Sequence, residues 1–399
     1  MLKFGLIREG KTPPDKRVVF SPKDLLVFKN MYPTCSFKVE PSPVRFFKDE
    51  EYTALDFEVS NDMTDCDVLL GVKEVPVNHL IPNKTYFFFS HTIKKQPYNK
   101  TLLQSCLRNN IRLIDHETLI DENNNRLIGF GRFAGIVGAY NTFRAFGIKY
   151  ELFHLKKAEE LQTQKDLIER LQKPYLPSIK VVLTGKGKVG IGAKEMLDAM
   201  NMKQVSIQKF LNQDFNQPVY VHLDYNDYYR RKDGKPSSKN DFRINAHEYE
   251  SDFEKYSQIA DIFIAGHFYK EGDPAILTRE MLNHPKNMIK VVGDISCDIN
   301  GPIACTLRPS TIANPFYGYY PRTHEEVDVE HPAAVVVMAV DNLPCELPKD
   351  ASEDFGKVFL QNIVPAFFND DKDGILKRAT ICENGELTER FSYLKDYVS

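Results

Sequence analysis

One stretch limits the folds open to this chain more than any other: Val181-Val182-Leu183-Thr184-Gly185-Lys186-Gly187-Lys188-Val189-Gly190-Ile191-Gly192. A short β-branched run stops at a glycine and passes through G-x-G-x-x-G-x-G-A. It then enters a segment with apolar residues at Ala193, Met196, Leu197 and Met200, which is helical spacing. Strand, glycine turn and helix in that order form the setting in which G-x-G-x-x-G binds a dinucleotide. Gly185 allows the tight turn, and Gly187 lets the backbone approach a pyrophosphate. Lys188 and Val189 open the helix whose N–H groups face the phosphates. Gly190 and Gly192 let that helix pack close to the sheet. A glycine turn that binds nothing is the competing reading, and the strand before it and helix after it weigh against that.

Composition sets the frame around this motif. At 399 residues the chain exceeds one ordinary core, so two domains are expected. A net charge of -3 argues against a dedicated nucleic-acid surface. No apolar run reaches the length of a membrane span. Met1-Leu2-Lys3-Phe4-Gly5-Leu6-Ile7 reads as a first strand and lacks the h-region and cleavage site of a secretory signal. The seven cysteines are scattered, odd in number and without any C-x-x-C. Reduced thiols in a cytoplasmic protein fit that pattern better than disulfides or zinc, and no metal site is expected.

Taken in order, residues 3–8 read as a strand, and Ser21-Pro22 opens a helix with a capping residue and a first-turn proline. Strands are expected at 37–39, 68–72, 86–89 and 111–114, with helical character at 49–55 and 100–108. This alternation predicts an α/β domain with a largely parallel sheet. Two of the strands end on chemistry: Val68–Val72 delivers Lys73-Glu74, and Tyr86–Ser90 delivers His91. The next strand is followed by Asp115-His116-Glu117. Strand C-terminal ends line the ligand crevice of a parallel sheet, so these groups are candidates to share one edge. From Phe130 to Tyr150 a helix carries Gly131, Ala134, Gly135, Gly138 and Ala139, a spacing that permits close backbone approach at a domain junction. Residues 155–172 read as a charged helical stretch.

Beyond the glycine loop, Gln204–Gln208 reads as the second strand of the nucleotide fold. Gln208 and Lys209 stand where an NAD site usually carries an acid, and Lys209 could pair with a 2′-phosphate. Residues 211–258 read as a polar, tyrosine-rich surface insertion away from the chemistry. The doubly wound pattern resumes with Ile259–Ala265, ending at Gly266-His267, and Ile289–Val292, ending at Gly293-Asp294 with Asp298 four residues on. Val335–Val340 is a buried helix or strand, and the tail from Asp341 packs back on the first domain. The expected architecture is α/β, with two Rossmann-like domains and a cleft between them. The first domain is discontinuous, 1–135 plus 325–399, and the dinucleotide-binding domain spans 136–324.

Together the motifs resemble the alanine dehydrogenase/transhydrogenase superfamily, and within it the lysine-forming saccharopine dehydrogenases, also called lysine–ketoglutarate reductases. The resemblance rests on Gly71-Val72-Lys73-Glu74, Phe88-Phe89-Ser90-His91-Thr92-Ile93-Lys94 and Arg112-Leu113-Ile114-Asp115. It rests also on Gly129-Phe130-Gly131 with Ala134-Gly135, on Gly293-Asp294-Ile295-Ser296-Cys297-Asp298, and on Asp341-Asn342-Leu343-Pro344. It implies interconversion of saccharopine with L-lysine and 2-oxoglutarate, by imine formation and hydride transfer with NAD or NADP. By this similarity Lys73 and His91 are the acid–base groups, and Glu74 and Glu117 moderate their charge. Arg17 and Arg126 hold substrate carboxylates, a task suited to a planar guanidinium. The implied cofactor set is Gly185, Gly187, Lys188, Val189, Gly190, Lys209 and His267, with Asp298 near the nicotinamide ribose.

The segment 211–258 and the tail Thr380–Leu387 resemble the reductase half of the bifunctional animal and plant lysine-degrading enzymes. Because the chain stops there, a stand-alone reductase is expected. Two residues depart from the animal pattern, which has a basic residue at Glu74 and a polar one at Gly190. Expected partners are small amino and keto acids, with no nucleic acid and no membrane; homo-oligomerisation is open. An alanine or opine-type dehydrogenase on the same fold is the alternative, although Ile299-Asn300-Gly301 replaces the Gln-Gly-Gly that usually follows the aspartate in alanine dehydrogenases. A non-catalytic nicotinamide-binding sensor is a third reading.

Overall fold

The computed structural model describes all residues from Met1 to Ser399. The chain divides into two compact units, one made of Met1–Phe130 with Pro348–Ser399 and the other of Gly131–Leu347.

The first unit is built on an eight-stranded sheet. Its strands are β1 (Lys3–Leu6), β2 (Ser36–Val39), β3 (Glu58–Val59), β4 (Val68–Leu70), β5 (Thr85–Phe88) and β6 (Arg112–Asp115). The C-terminal segment adds β17 (Thr380–Glu383) and β18 (Glu386–Leu387), giving the order β18-β17-β6-β5-β4-β1-β2-β3. β1 to β6 run parallel, and β17 and β18 close one edge in antiparallel fashion. The runs are buried through β4 and through the last three residues of β5 and β6, as parallel strands covered by helices on both faces must be. Helix Pro22–Met31 starts where expected, with the Ser21 hydroxyl accepting from the Asp24 N–H. It buries Leu25 and Phe28, and the Phe28 ring meets Phe4, Phe20 and Phe37.

The second unit carries its own eight-stranded sheet. In chain order these strands are β7 (Lys180–Thr184), β8 (Lys203–Gln204), β9 (Val219–Leu223), β12 (Ile262–Ala265), β13 (Val291–Asp294), β14 (Phe316–Tyr320), β15 (Glu325–Val327) and β16 (Val335–Met338). They lie in the order β15-β14-β16-β13-β12-β7-β9-β8, and a separate ribbon pairs β10 (Tyr229–Arg231) with β11 (Tyr249–Ser251). Six strands are parallel; β14 and β15 extend the sheet antiparallel beyond β16. Both units are thus α/β with largely parallel sheets, the expected fold class.

Several expectations about this unit need correction. Its limits are Gly131 and Leu347, rather than 136 and 324. The segment 325–347 stays with it because β15 and β16 are ladder strands of its sheet. The second nucleotide-fold strand is not Gln204–Gln208. Only Lys203–Gln204 is extended, at the sheet edge, and Ser206 caps the helix Ile207–Asn212. The strand beside β7 is β9, which lies inside the segment read as a surface insertion. The tyrosines of that segment are core residues: Tyr228, Tyr229, Tyr249 and Tyr256 are all buried in one cluster with Phe253 and Phe263. The charged stretch 155–172 is helical only over Gln164–Leu171, apart from a short turn at Ala158–Glu160.

The small-residue helix Gly131–Lys149 belongs wholly to the second unit, where it crosses the helix Lys188–Ala199 at backbone distance. A Cβ on Gly135 would stand 1.9 Å from the Val189 carbonyl oxygen, and one on Gly192 1.9 Å from that of Arg132. Gly192 therefore serves helix–helix packing, and not helix–sheet packing as first read.

Candidate functional site

In the first unit β1, β4, β5 and β6 are consecutive parallel neighbours, so the residues that follow each strand share one edge. Glu9 follows β1, Lys73 and Glu74 follow β4, His91 follows β5, and Asp115-His116-Glu117 ends β6. Glu74 Oε1 lies 2.8 Å from His91 Nδ1, and Lys11 Nζ lies 3.4 Å from Glu74 Oε2. Burial opposes ionisation of Glu74. The bond to His91, a backbone N–H and the charges of His91 and Lys11 outweigh it and bring the carboxyl down to about 2. An ionised Glu74 accepts from Nδ1–H, which directs the exchangeable position of His91 to Nε2.

His91 sits in the left-handed region at φ 53°, at the start of a short turn Thr92–Lys94. A β-carbon residue held there costs about 1–3 kcal/mol, and such outliers persist where surrounding bonds over-determine them. Asp115 supplies those bonds. Its Oδ2 accepts from the Ser90 N–H at 3.0 Å and from the Ser90 hydroxyl, and its Oδ1 accepts from the Glu117 N–H at 2.7 Å. One buried carboxylate thus fixes the segments that bear His91 and Glu117. His116 is a different case. Burial among Phe87, Phe89, Phe355 and Phe359 pushes its imidazole down to about 3, and its Nε2 bonds the Gly71 carbonyl. It is a neutral core histidine.

Arg17 and Arg126 both reach this edge. Arg17 is buried, stacks 4.2 Å above the Phe130 ring and is gripped by Asp15 through Nε at 3.0 Å and Nη2 at 2.6 Å. Arg126 is exposed, lies over Phe89 and has Nη1 4.0 Å from Glu117 Oε1, which Lys94 also approaches at 3.3 Å. Sequence reading missed Glu9 and Asp15, which look like ordinary loop acids until the fold buries them.

The glycine loop of the second unit is tightly packed at two of its glycines and open at the third. Gly185 takes φ +88°, and a Cβ there would meet the Gly266 carbonyl oxygen at 2.4 Å. A Cβ on Gly190 would lie 1.7 Å from the Gly185 oxygen, so the helix start and the turn touch. Gly187 differs from both. Its φ is −82°, which any residue adopts, and a Cβ there meets nothing within 4 Å. Neither the backbone conformation nor the surroundings of this residue require a glycine. Gly187 also starts the helix Lys188–Ala199 without any side-chain cap, the form of helix N-terminus that an anion completes.

His267, at the end of β12, bonds Thr184 Oγ1 through Nδ1 at 2.7 Å. Burial pushes its imidazole to about 3, and its Nε2 is buried with no hydrogen-bond partner. A native structure seldom leaves such an atom unpaired, so this is a position for a ligand contact. Asp298 lies in the loop after β13, shaped by buried Asp294, which accepts from the Ser296 N–H and hydroxyl, the Cys297 N–H and the Thr306 hydroxyl. Cys297 and Asn300 turn that loop through the left-handed region.

The adenosine end differs from the sequence reading. Lys209 is exposed on the helix Ile207–Asn212, after the edge strand β8, and not on the strand beside β7. β9 holds that position: Leu223 pairs with Thr184, so Asp224 is the residue level with Gly185. His222, two residues earlier, bonds the Gly185 carbonyl through Nε2 at 2.7 Å. The signal was legible in Val219-Tyr220-Val221-His222-Leu223 followed by Asp224, a β-rich run ending on an acid.

Comparison with known proteins places this arrangement. Residues 5–137, about a third of the chain, match the family model "Alanine dehydrogenase/PNT, N-terminal domain". Over that segment the chain is similar to this family, and the relatives described below are similar to it along most of its length. Two solved structures share its fold. An L-alanine dehydrogenase aligns over 100% of both chains with TM-score 0.66 and 16% identity, and the transhydrogenase from Sinorhizobium meliloti aligns over 97% of this chain with TM-score 0.62 and 15% identity.

Among sequences, the chain is 28% identical to the α-aminoadipic semialdehyde synthase of Arabidopsis thaliana over 89% of its own length. It is 26% identical to the mitochondrial enzyme of that name from Rattus norvegicus over 98% of its length. It spans only 37% and 47% of those two relatives. It is 24% identical to the saccharopine dehydrogenase of Schizosaccharomyces pombe, named as NAD(+), L-lysine-forming, over 90% of this chain and 91% of that one. No helix is long and apolar enough to cross a membrane.

Proposed function

We propose that this protein is a nicotinamide-dependent dehydrogenase that interconverts saccharopine with L-lysine and 2-oxoglutarate. The observation that carries the reading is the edge of the first sheet, where Lys73, the Glu74–His91 pair, Arg17 and Arg126 come from four neighbouring strand ends and the loops beside them. Gly187, the uncapped helix start and the orphaned His267 Nε2 support dinucleotide binding by the second unit.

In this reading Arg17 and Arg126 bind carboxylates of the keto acid and the amino acid, each guanidinium backed by an aromatic face. Lys73 takes a proton from the ε-amine as its nitrogen attacks the keto carbon. The displaced electron pair goes to the carbonyl oxygen, which takes one proton from His91 Nε2 to give a carbinolamine; the proton held by Lys73 returns to that oxygen, which leaves as water while the nitrogen lone pair forms the carbon–nitrogen double bond. Glu74, ionised throughout the working range, keeps the proton on His91 Nδ1 and so leaves Nε2 to do this. Gly185 to Gly190 would hold the diphosphate of a bound dinucleotide and Asp298 its nicotinamide ribose, and the reduced cofactor would supply hydride chemistry for the resulting carbon–nitrogen double bond.

Asp224 supports NAD over NADP, because an acid at the end of the strand beside the glycine loop accepts from a ribose 2′-hydroxyl and repels a 2′-phosphate. Cofactor oxidation with matched substrate pairs tests the proposal. Lysine with 2-oxoglutarate should consume NADH, whereas pyruvate with ammonia should not. Turnover with pyruvate and ammonia alone would make the protein an alanine dehydrogenase instead.

A further inference from the structure

Glu9 stands at the reacting edge and has no part in the chemistry just described. It follows β1, and β1 is the ladder neighbour of β4. Its two carboxyl oxygens are used separately: Oε1 accepts from the Val72 N–H at 2.7 Å and Oε2 from the Lys73 N–H at 2.7 Å. Those donors belong to the segment that leaves β4 and bears Lys73 and Glu74. By bonding both, the carboxylate fixes two successive peptide planes, and with them the direction in which the Lys73 side chain starts. Glu74 follows directly and bonds His91, so the same anchor reaches both proposed acid–base groups.

The electrostatics agree with the geometry. The carboxyl group is enclosed although part of the residue reaches the surface. Burial, helped by Asp15, raises it to about 8, while the Val72 and Lys73 N–H groups and Arg17 favour its charge. It therefore titrates near neutral pH, facing Asp15 and Arg17 from its own loop and the Val72 and Lys73 amides from β4. Protonation would take an acceptor away from one of the two amides.

We infer that Glu9 is a positioning residue for the acid–base pair, acting through the Val72 and Lys73 N–H groups to hold Lys73 and Glu74 in their working orientation. This rests on the reading of Lys73 and His91 as reacting groups. No other side chain spans the two amides, and an amide at position 9 could offer them only one acceptor oxygen.

The test compares wild type with Glu9→Gln and Glu9→Asp in three measurements. In steady-state assays with lysine, 2-oxoglutarate and NADH at pH 9, where the Glu9 carboxyl is ionised, both variants should lose kcat tenfold or more. The NADH Kd should stay within twofold, since the glycine loop lies in the other unit. The pH profile of kcat/KM should lose its limb near pH 8 in Glu9→Gln. The third measurement needs no turnover: acylation of Lys73 by an amine-reactive ester, followed by peptide mass spectrometry, should change at least threefold in rate while that of Lys286, exposed in the other unit, does not. Unchanged kcat, pH profile and Lys73 acylation in either folded variant would overturn the inference. A wild type inactive with every substrate pair would instead remove the proposed function and leave the acylation rates to decide the role of Glu9.

Discussion

Substituting Gly187 by alanine separates a glycine kept for a ligand from one kept for the fold. At φ −82° and ψ −171° the backbone accepts alanine without strain, and the added methyl meets no atom within 4 Å. The only folding cost is that of alanine at a helix N-cap, about 1 kcal/mol or less relative to glycine. A diphosphate resting on this backbone changes the sum. Its oxygens approach the amide nitrogens to about 2.9 Å, and a methyl carbon needs about 3.5 Å, so the ligand must withdraw by roughly half an ångström or more. Displacements on the ångström scale cost up to about a hundredfold, so an affinity loss of ten- to a hundredfold is expected, about 1.4–2.8 kcal/mol.

Gly190→Ala provides the contrast. Its methyl would lie 1.7 Å from the Gly185 oxygen and 3.2 Å from His222 Nε2, so the turn must open even without ligand. Overpacking of this kind costs about 1–3 kcal/mol, which for a unit of this size lowers Tm by roughly 2–10 °C. NADH fluorescence titration and thermal unfolding read the two effects separately. Gly187→Ala should bind weakly at nearly unchanged Tm, and Gly190→Ala should lose both. A Gly187→Ala variant with wild-type NADH affinity would refute the cradle.

Three further outcomes follow from particular groups. Glu74→Gln keeps an acceptor for His91 Nδ1–H but removes the charge, about half the strength of the bond. We expect kcat to fall about tenfold; because the Glu74 carboxyl is lowered to about 2, its contribution to stability is present above about pH 4.5 and lost only as pH falls through about 2, which acid unfolding of the two proteins will check. Buried Glu346, bonded to Asn141 and raised to about 7, has the opposite sign: its stabilisation is complete below about pH 4.5 and is lost as pH rises through about 7, at most about 3 kcal/mol. Glu346→Gln, which keeps an acceptor for Asn141, should flatten the fall in Tm between pH 5 and 8; an unchanged slope would assign that fall elsewhere. Asp224→Ser retains a capping oxygen for the helix Tyr225–Tyr228 and removes the charge, so the preference for NADH over NADPH should narrow at least tenfold in kcat/KM.

The two sheets differ in how far they could be read from sequence. In the first unit, apolar runs stop abruptly at Lys73, His91 and Asp115, and the structure ends or turns each strand within a residue or two of the expected point. Such short, fully buried parallel strands announce themselves by composition. Lys100–Arg108 was likewise legible from its apolar spacing. β9 was hidden by its surroundings. It lies among polar and tyrosine-rich segments, and tyrosines bury their rings while carrying a hydroxyl that reads as surface: Tyr229 reaches the Pro274 carbonyl, and Tyr220 bonds Asp198 and Gln204.

The end of the second unit was missed for another reason. β14 joins β16 out of sequence order and antiparallel, and pairing between distant strands leaves no local periodicity. Glu9 and Asp15 were invisible because their significance depends on a neighbouring strand and on Arg17. Asp115 was visible at its strand end, whereas the bonds that Glu9 makes to Val72 and Lys73 join residues brought together only by folding.

The fate of one hydrogen atom tests the proposed reaction most directly. Lysine and 2-oxoglutarate are incubated with the protein and NADH deuterated at the transferring carbon, and the products are read by mass spectrometry. The proposed reaction yields a condensed product of both substrates, saccharopine, carrying one deuterium on the former keto carbon. Deuterium in free glutamate, or none in any product despite measurable NADH binding, would contradict it.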